Sequence, residues 1–270
     1  MSPYTDLDRP PFHEAALRRA LLVPGGLWRE LRVVAETGST NADLAALARD
    51  GKAEGHVLVA ERQTAGRGRL DRSWESPARA GIAVSVLLRP DEVPVSRYAW
   101  LPLLAGVALA EAVREVAKLE PYLKWPNDLM LEGDRKCAGI LAEAVPPAVV
   151  LGIGLNTTLR EPELPRADAT SLALAGAECV DRDPLLRRLL RSLAVWYARW
   201  RAAGGDADAC GLREAYTLIC GTLGRPVRVE LPGGAVLTGS ATDVDAEGRL
   251  VVVSGETRRA VAAGDVAHLR

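Results

Sequence analysis

YLKWPNDLMLEGDRKCAGILAEAVPPAVVLGIGLN, residues 122 to 156, packs four extended runs into one stretch of chain. Tyr122 to Trp125 and Leu129 to Leu131 flank Pro126-Asn127-Asp128. Cys137 to Ala144 follows the Glu132-Gly133-Asp134 turn, and Val149 to Leu155 follows Pro146-Pro147. Short aliphatic runs bounded by Gly, Pro, Asn and Asp are strand signals. Gly152 and Gly154 lie inside the last run, which marks either a bulge or a place where another group lies close on the strand.

Upstream, Leu27 to Ala35 is extended, and Thr37-Gly38-Ser39-Thr40-Asn41 opens an Ala/Leu-rich helix that runs to Asp50 and closes at Gly51. Thr40 with Asp43 reads as a capping box. His56 to Glu61 is a strand candidate, Gln63 to Pro77 a long polar segment, Gly81 to Leu88 an alternating strand, and Tyr98 to about Lys118 a helix. Downstream, helices are expected to dominate from Thr170 to about Cys220, where Leu185, Leu186, Leu189, Leu190, Leu193, Trp196 and Trp200 form an apolar stripe. Arg187, Arg188, Arg191 and Arg199 lie off that stripe and read as a solvated face. From Gly221 the texture changes to four or five short strands with Gly-rich and Asp-rich turns, a small antiparallel barrel. Residues 1–26 hold one short helical pattern, Glu14 to Leu22, between Pro10-Pro11 and Pro24-Gly25-Gly26. They read as a capping arm, because a three-helix DNA reader needs helices of ~11 residues each plus turns.

Composition narrows the function classes. With 270 residues, 48% hydrophobic and 26% charged, the chain buries a core without disulfide staples and is neither disordered nor collagenous. Basic and acidic residues nearly cancel, 34 against 35, so no global field holds a polyanion and nucleic acid is not an expected partner. The longest uncharged stretch, Ala144 to Leu159, contains Pro146, Pro147 and Asn156 and falls short of the ~20 apolar residues of a spanning helix. No membrane association and no secretory signal are expected, which points to the cytoplasm. Cys137, Cys179, Cys210 and Cys220 form no CxxC pair and read as free thiols. Only Lys52, Lys118, Lys124 and Lys136 are lysines, so each lysine stands out.

Four segments carry chemistry. In QTAGRGRLDRSW, residues 63 to 74, glycines bring backbone amides close to a ligand while Arg67, Arg69 and Arg72 supply forked donors for phosphate or carboxylate, and Trp74 offers a flat face for a base. An arginine-rich surface loop partly neutralised by Asp71 and Glu75 is the plain alternative. In KWPND, Pro126 presents Asn127 and Asp128 at a strand end, where amide and acid groups meet ribose, phosphate or magnesium; a Pro-Asn turn alone gives the same pattern. Lys136 is a compact charge able to reach an acyl oxygen or phosphate, or an edge-strand gatekeeper. Ser39 and Thr40 either cap the helix or face a ligand, and Asn156 ends GIGLN where it can meet a base edge. No Ser-His-Asp set or Walker loop competes.

In this order and at these separations, ETGSTN, QTAGRGRLDRSW, KWPNDLM with RKCAGIL, and GIGLN resemble the biotin protein ligases, over residues 36 to 156. The resemblance extends to the family's SH3-like carboxyl-terminal domain over Gly221 to Arg270. It implies an α+β fold: a mixed β-sheet catalytic domain with packed helices of the class II synthetase-like, biotin/lipoate ligase type over 27–220, and the SH3-like β-barrel over 221–270. It implies that biotin is activated with ATP and Mg2+ to biotinyl-5′-AMP and passed to a lysine of the biotin carboxyl carrier domain of a biotin-dependent carboxylase, without repressor activity. Carried over by motif, Ser39, Thr40 and Gln63 hold the ureido ring, with Gly66, Arg67 and Lys136 completing the biotin site. Gly66, Arg67, Arg69 and Arg72 lie over the acyl phosphate, and Lys136 polarises the reacting carboxylate. Trp74 and Asn156 serve the adenine end, and Asn127 and Asp128 lie near ribose, phosphates and magnesium. Lys136, Arg67, Arg69 and Asp128 are the expected catalytic set, and Asp128 is also the expected magnesium ligand. A lipoate ligase shares this logic, but a dithiolane makes few hydrogen bonds, so the polar trio at 39, 40 and 63 argues for biotin.

Overall fold

The structure is a computed structural model that describes residues 9–70 and 72–269; the first eight residues of the expected arm, Asp71 and Arg270 lie outside the described residues. Seven strands form one mixed sheet: β1 (Glu30–Val34), β2 (His56–Ala60), β3 (Gly81–Leu88), β4 (Tyr122–Lys124), β5 (Asp128–Leu131), β6 (Arg135–Val145) and β7 (Ala148–Asn156). Their order is β1-β2-β3-β7-β6-β5-β4, with β1 and β2 parallel and every other neighbouring pair antiparallel.

Two-residue alternation divides the sheet's work. On one face, Ile82, Val84, Val86 and Leu88 of β3 join Val149, Leu151, Ile153 and Leu155 of β7 and Ala138 and Ile140 of β6 in the main core. Helix α3 (Trp100–Ala112), apolar nearly all round, lies buried there, with α4 (Arg182–Ala202) packed on it and α1 (Glu14–Leu21) packed on α4 and β1. On the opposite face α2 (Thr40–Arg49) covers only part of the sheet, setting Leu44, Ala45 and Ala48 against Leu58, Leu87 and Val150. The uncovered remainder of that face is the floor of a cavity.

A second sheet follows α5 (Leu212–Leu218): β8 (Pro226–Glu230), β9 (Val236–Val244), β10 (Leu250–Ser254), β11 (Thr257–Val261) and β12 (Asp265–His268), antiparallel in the order β11-β10-β9-β8-β12. Buried indoles tie it to the first sheet's β4 end and to α3: Trp125 Nε1 donates to Gly248 O at 3.0 Å and Trp100 Nε1 to Ala246 O at 2.8 Å.

Several expected elements differ. Ser39, extended at φ −158°, caps α2 and accepts from Ala42 N at 3.4 Å, so Thr40 already lies inside the helix and Asp43 accepts from Thr37 Oγ1 instead. The helix expected over Tyr98–Lys118 is α only over Trp100–Ala112, then widens into one π turn over Val113–Ala117 that Lys118 closes at φ +58°. Residues 170–181 are not helical. Asn156 O accepts Leu172 N and Lys136 O accepts Thr170 N, so the start of that segment bonds to β7 and β6, and residues 171–177 form turns rather than a helix. The arginines of α4 are tied down: Arg188 pairs with Glu111 and Glu115, Arg191 donates to Ala20 O, and Arg199 lies over the Trp196 ring. Gly152 and Gly154 sit in unbroken register with β3 and β6, which makes them places of close approach and not a bulge.

Candidate functional site

Register aligns Ala83, Gly154, Gly139 and Asp128 in one row across β3, β7, β6 and β5. Ser85, Gly152 and Leu141 form the next row. The three glycines with Ala83 and Ser85 leave a flat floor on the uncovered face, beneath a cavity of about 540 Å³. Trp74 lies on this floor. A Cβ at Gly154 would stand 2.4 Å from its Cε2 and one at Gly139 3.1 Å from its Cζ3, so the indole needs glycine beneath it.

The roof is the arginine segment. Ala65 N donates to Gly38 O, Trp74 N to Gly66 O and Gly68 N to Arg72 O at 2.8, 2.8 and 2.7 Å, folding residues 66–74 into a short hairpin hung from the loop before α2. Leu70 at its tip has φ +55° and is 62% exposed. The three arginines point three ways. Arg67 pairs with Glu143 at 3.1 Å, Arg69 donates to Asn127 Oδ1 at 2.9 Å and to Gly264 O at 3.2 Å, and Arg72 pairs with Asp265 of β12. Burial holds the Arg69 guanidinium below its ordinary pKa, against the attraction of Asp128 and Asp265. Its bond to Asp265 raises Arg72. Burial pushes Asp265 up, but Arg72, Lys124 and Arg69 hold it below the usual carboxylate value.

The two ends of the cavity differ in charge. At one, Gln63 Oε1 accepts from Thr40 N at 2.8 Å and lies 3.0 Å from Thr40 Oγ1, beside buried Ser39 and Asn41, an uncharged cluster of donors and acceptors. At the other, Lys136 Nζ lies 2.6 Å from Asp128 Oδ1 and 5.9 Å from the Trp74 ring centroid, near Arg69 and Asn127. Asn156 is buried and donates to Thr170 O at 2.9 Å, holding the segment after β7 while it borders the cavity. Among the described residues no group of three His, Cys, Asp or Glu is placed to hold a metal ion.

Ser39, Thr40, Gln63, Arg67, Arg69, Arg72, Trp74, Asn127, Asp128, Lys136 and Asn156 all line this one cavity, and Gly66 lies behind Trp74 and Gln63. Sequence reasoning missed Ser85, Glu143 and Asp265. The first two share a face with Gly152 through strand alternation, a signal present once β3, β6 and β7 are placed side by side. Asp265 had no local signal, because only the packing of the second sheet brings it to Arg72.

Residues 34–156 match the biotin/lipoate A/B protein ligase family and residues 222–269 the biotin protein ligase C-terminal domain. The biotin–acetyl-CoA-carboxylase ligase of Mycobacterium tuberculosis is 47% identical over 98% of this chain and 100% of its own length. The bifunctional ligase/repressor BirA of Bacillus subtilis is 33% identical over 84% of this chain and 70% of its own length. A solved structure of the Aquifex aeolicus biotin protein ligase in complex with biotin and ATP superposes with a TM-score of 0.74 at 27% identity, covering 90% of this chain and all of that one.

Proposed function

The chain belongs to the biotin protein ligase family, and we propose that it activates biotin with ATP to biotinyl-5′-adenylate and transfers the biotinyl group to a lysine of a biotin carboxyl carrier domain. The observation that carries this reading is the split polarity of the cavity, neutral and hydrogen-bonding at Ser39, Thr40 and Gln63, cationic at Lys136 and Arg69. A ureido ring is neutral but rich in donors and acceptors, so burying it calls for uncharged partners. The joining chemistry calls for charge.

In the first step a biotin carboxylate oxygen attacks the α-phosphorus of ATP, the P–O bond to pyrophosphate breaks, and negative charge crowds the five-coordinate centre. Lys136 and Arg69, preorganised by Asp128 and Asn127, stabilise that charge, while Arg67 and Arg72 exchange their carboxylate partners for substrate as the roof settles. Trp74 supports the adenine, with Asn156 behind it. The second step needs no nucleophile from this chain: the ε-amine of the acceptor lysine attacks the anhydride carbonyl and AMP leaves. A mixed anhydride is destroyed by water, which the roof over residues 63–76 excludes.

The donor set at the cationic end fits magnesium brought by the nucleotide, since Mg2+ is commonly held by one or two carboxylates plus substrate phosphates. Asp128 would hold it, and it would neutralise phosphate charge there. We place the reaction in the cytoplasm and assign the chain no repressor function. Incubated with biotin, MgATP and a purified carrier domain, the chain should add one biotinyl group to one carrier lysine, seen by intact mass. A carrier that stays unmodified, while an established ligase labels it, refutes the proposal.

A further inference from the structure

A chain of hydrogen bonds leaves the neutral end of the cavity and ends outside it at a carboxylate. Thr40 Oγ1 lies 2.7 Å from Ser85 Oγ, Ser85 Oγ 2.6 Å from Asn41 Oδ1, Asn41 Nδ2 2.6 Å from Glu143 Oε2, and Glu143 Oε1 3.1 Å from Arg67 Nη2. Ser85 and Thr40 are buried, and Glu143 is 26% exposed at the rim. Gly152 makes the room, because a Cβ there would stand 2.2 Å from Asn41 Oδ1. Thr40 and Gln63 as ligand contacts alone would need no polar groups behind them, yet the hydrogen bonds continue into the sheet.

The geometry points to Glu143 as the positioning residue that fixes the donor and acceptor pattern of the ureido site, acting through Asn41 and Ser85 on Thr40; this rests on biotin occupying that end of the cavity. A carboxylate paired with Arg67 can only accept. The Asn41 amide meets a second pure acceptor on the same side, Leu141 O at 3.4 Å, so its nitrogen must face them and its oxygen must face Ser85. Ser85 then gives its one proton to Asn41 and can only accept from Thr40. Thr40 has one proton and two acceptors in reach, Ser85 Oγ at 2.7 Å and Gln63 Oε1 at 3.0 Å; it gives the proton to the nearer, Ser85, and presents lone pairs to the cavity. Gln63 Oε1 is held by the Thr40 backbone N–H, which leaves Gln63 Nε2 as a donor. One acceptor beside one donor is complementary to a cyclic urea, which has N–H groups flanking a carbonyl. Without the acceptor at 143 only the longer contact to Leu141 O still orients the Asn41 amide, so the amide turns over more readily and each proton along the chain can reverse with it.

The test is biotin affinity by calorimetry on the full chain, with melting temperature and the KM for ATP measured alongside. Glu143→Met keeps the side chain's length and removes the acceptor; it should weaken biotin about tenfold and leave the KM for ATP within about twofold. Glu143→Gln keeps an acceptor oxygen and should recover most of that loss. Ser85→Ala should weaken biotin similarly, and the double variant Glu143→Met with Ser85→Ala should be no weaker than the poorer single variant, because both cut one chain. Equal losses in Glu143→Gln and Glu143→Met would mean that charge on Arg67 is what matters, and independent losses that multiply would mean separate structural roles; either result overturns the assignment. A wild-type chain that binds no biotin overturns the functional proposal itself, whereas tight wild-type binding with unaltered Glu143→Met affinity overturns this inference alone.

Discussion

Lys136 sits at the start of β6 with its ammonium 2.6 Å from Asp128 Oδ1, an ion pair that holds a compact charge over the Trp74 side of the floor. Its side chain is 32% exposed and anchors no core packing, so Lys136→Ala should fold with a melting temperature close to wild type. Loss of a preorganised charge at the reacting centre costs ~10² to 10³ in rate, and adenylate formation should fall by that much. Unchanged adenylate formation would return Lys136 to the role of an edge-strand gatekeeper. Gly154 makes an independent residue-scale test. Gly154→Ala places a methyl where the Trp74 ring lies, 2.4 Å from Cε2, so the indole must lift. The KM for ATP should rise at least several-fold while biotin affinity changes little; an unchanged KM for ATP would separate Trp74 from the nucleotide. Lys136 stood out in the sequence because lysine is rare in this chain, and Trp74 because it closes a Gly/Arg segment. Glu143 gave no such signal: one acid in an alternating strand looks like any solvent-facing residue until Asn41 is seen behind it.

At the scale of elements, the strands Gly81–Leu88 and those of residues 122–156 were legible almost residue by residue, because aliphatic runs bounded by Pro, Gly and Asp leave little alternative. Helix ends were not. The cap of α2 depended on which of two adjacent hydroxyl residues is extended, and the continuous apolar run of α3 carries no local signal for where its α turns give way to the π turn. Residues 170–181 looked helical by composition, but backbone bonds to β6 and β7 took precedence over local propensity. The hairpin over residues 66–74 rests on three backbone bonds and on contacts its arginines make elsewhere, so substrates that draw in Arg67 and Arg69 should tighten it. Trypsin should therefore cut at Arg67 to Arg72 in the free protein and more slowly with biotin plus MgATP present. Identical cleavage rates would remove this hairpin as a cover.

Across the whole molecule, the second sheet completes the site from outside: Gly264 O receives Arg69 and Asp265 pairs with Arg72. The seam between the sheets carries its own pH sensitivity. Burial, with the positive charges of Lys124 and Arg225 and against the attraction of Asp134, pushes His268 down to about 4. Arg225 donates to its Nδ1 at 3.1 Å, so its Nε2 donates to Thr222 Oγ1 at 3.1 Å, and Thr222 also receives Trp125 N at 3.0 Å. An unfolded histidine takes its proton near ~6.5, and the folded one resists until about 4, so the unfolded chain binds more protons across that window. This contribution to stability is full above the unfolded value and declines as pH falls toward the folded one. The melting temperature should drop between pH 7 and pH 5, and less so in His268→Gln; equal drops would place the sensitivity elsewhere. The two-part architecture was readable from the change of texture at Gly221, but the seam was not, since no local pattern says which loop a distant sheet will meet.

The central claim is that one cavity joins a cyclic urea's carboxylate to a nucleotide, and ATP–pyrophosphate exchange reads that step without any acceptor protein. With biotin present the chain should exchange labelled pyrophosphate into ATP, and with lipoate at the same concentration it should show no exchange above the rate without an acid. Exchange supported by lipoate and not by biotin, or by neither, would contradict the account.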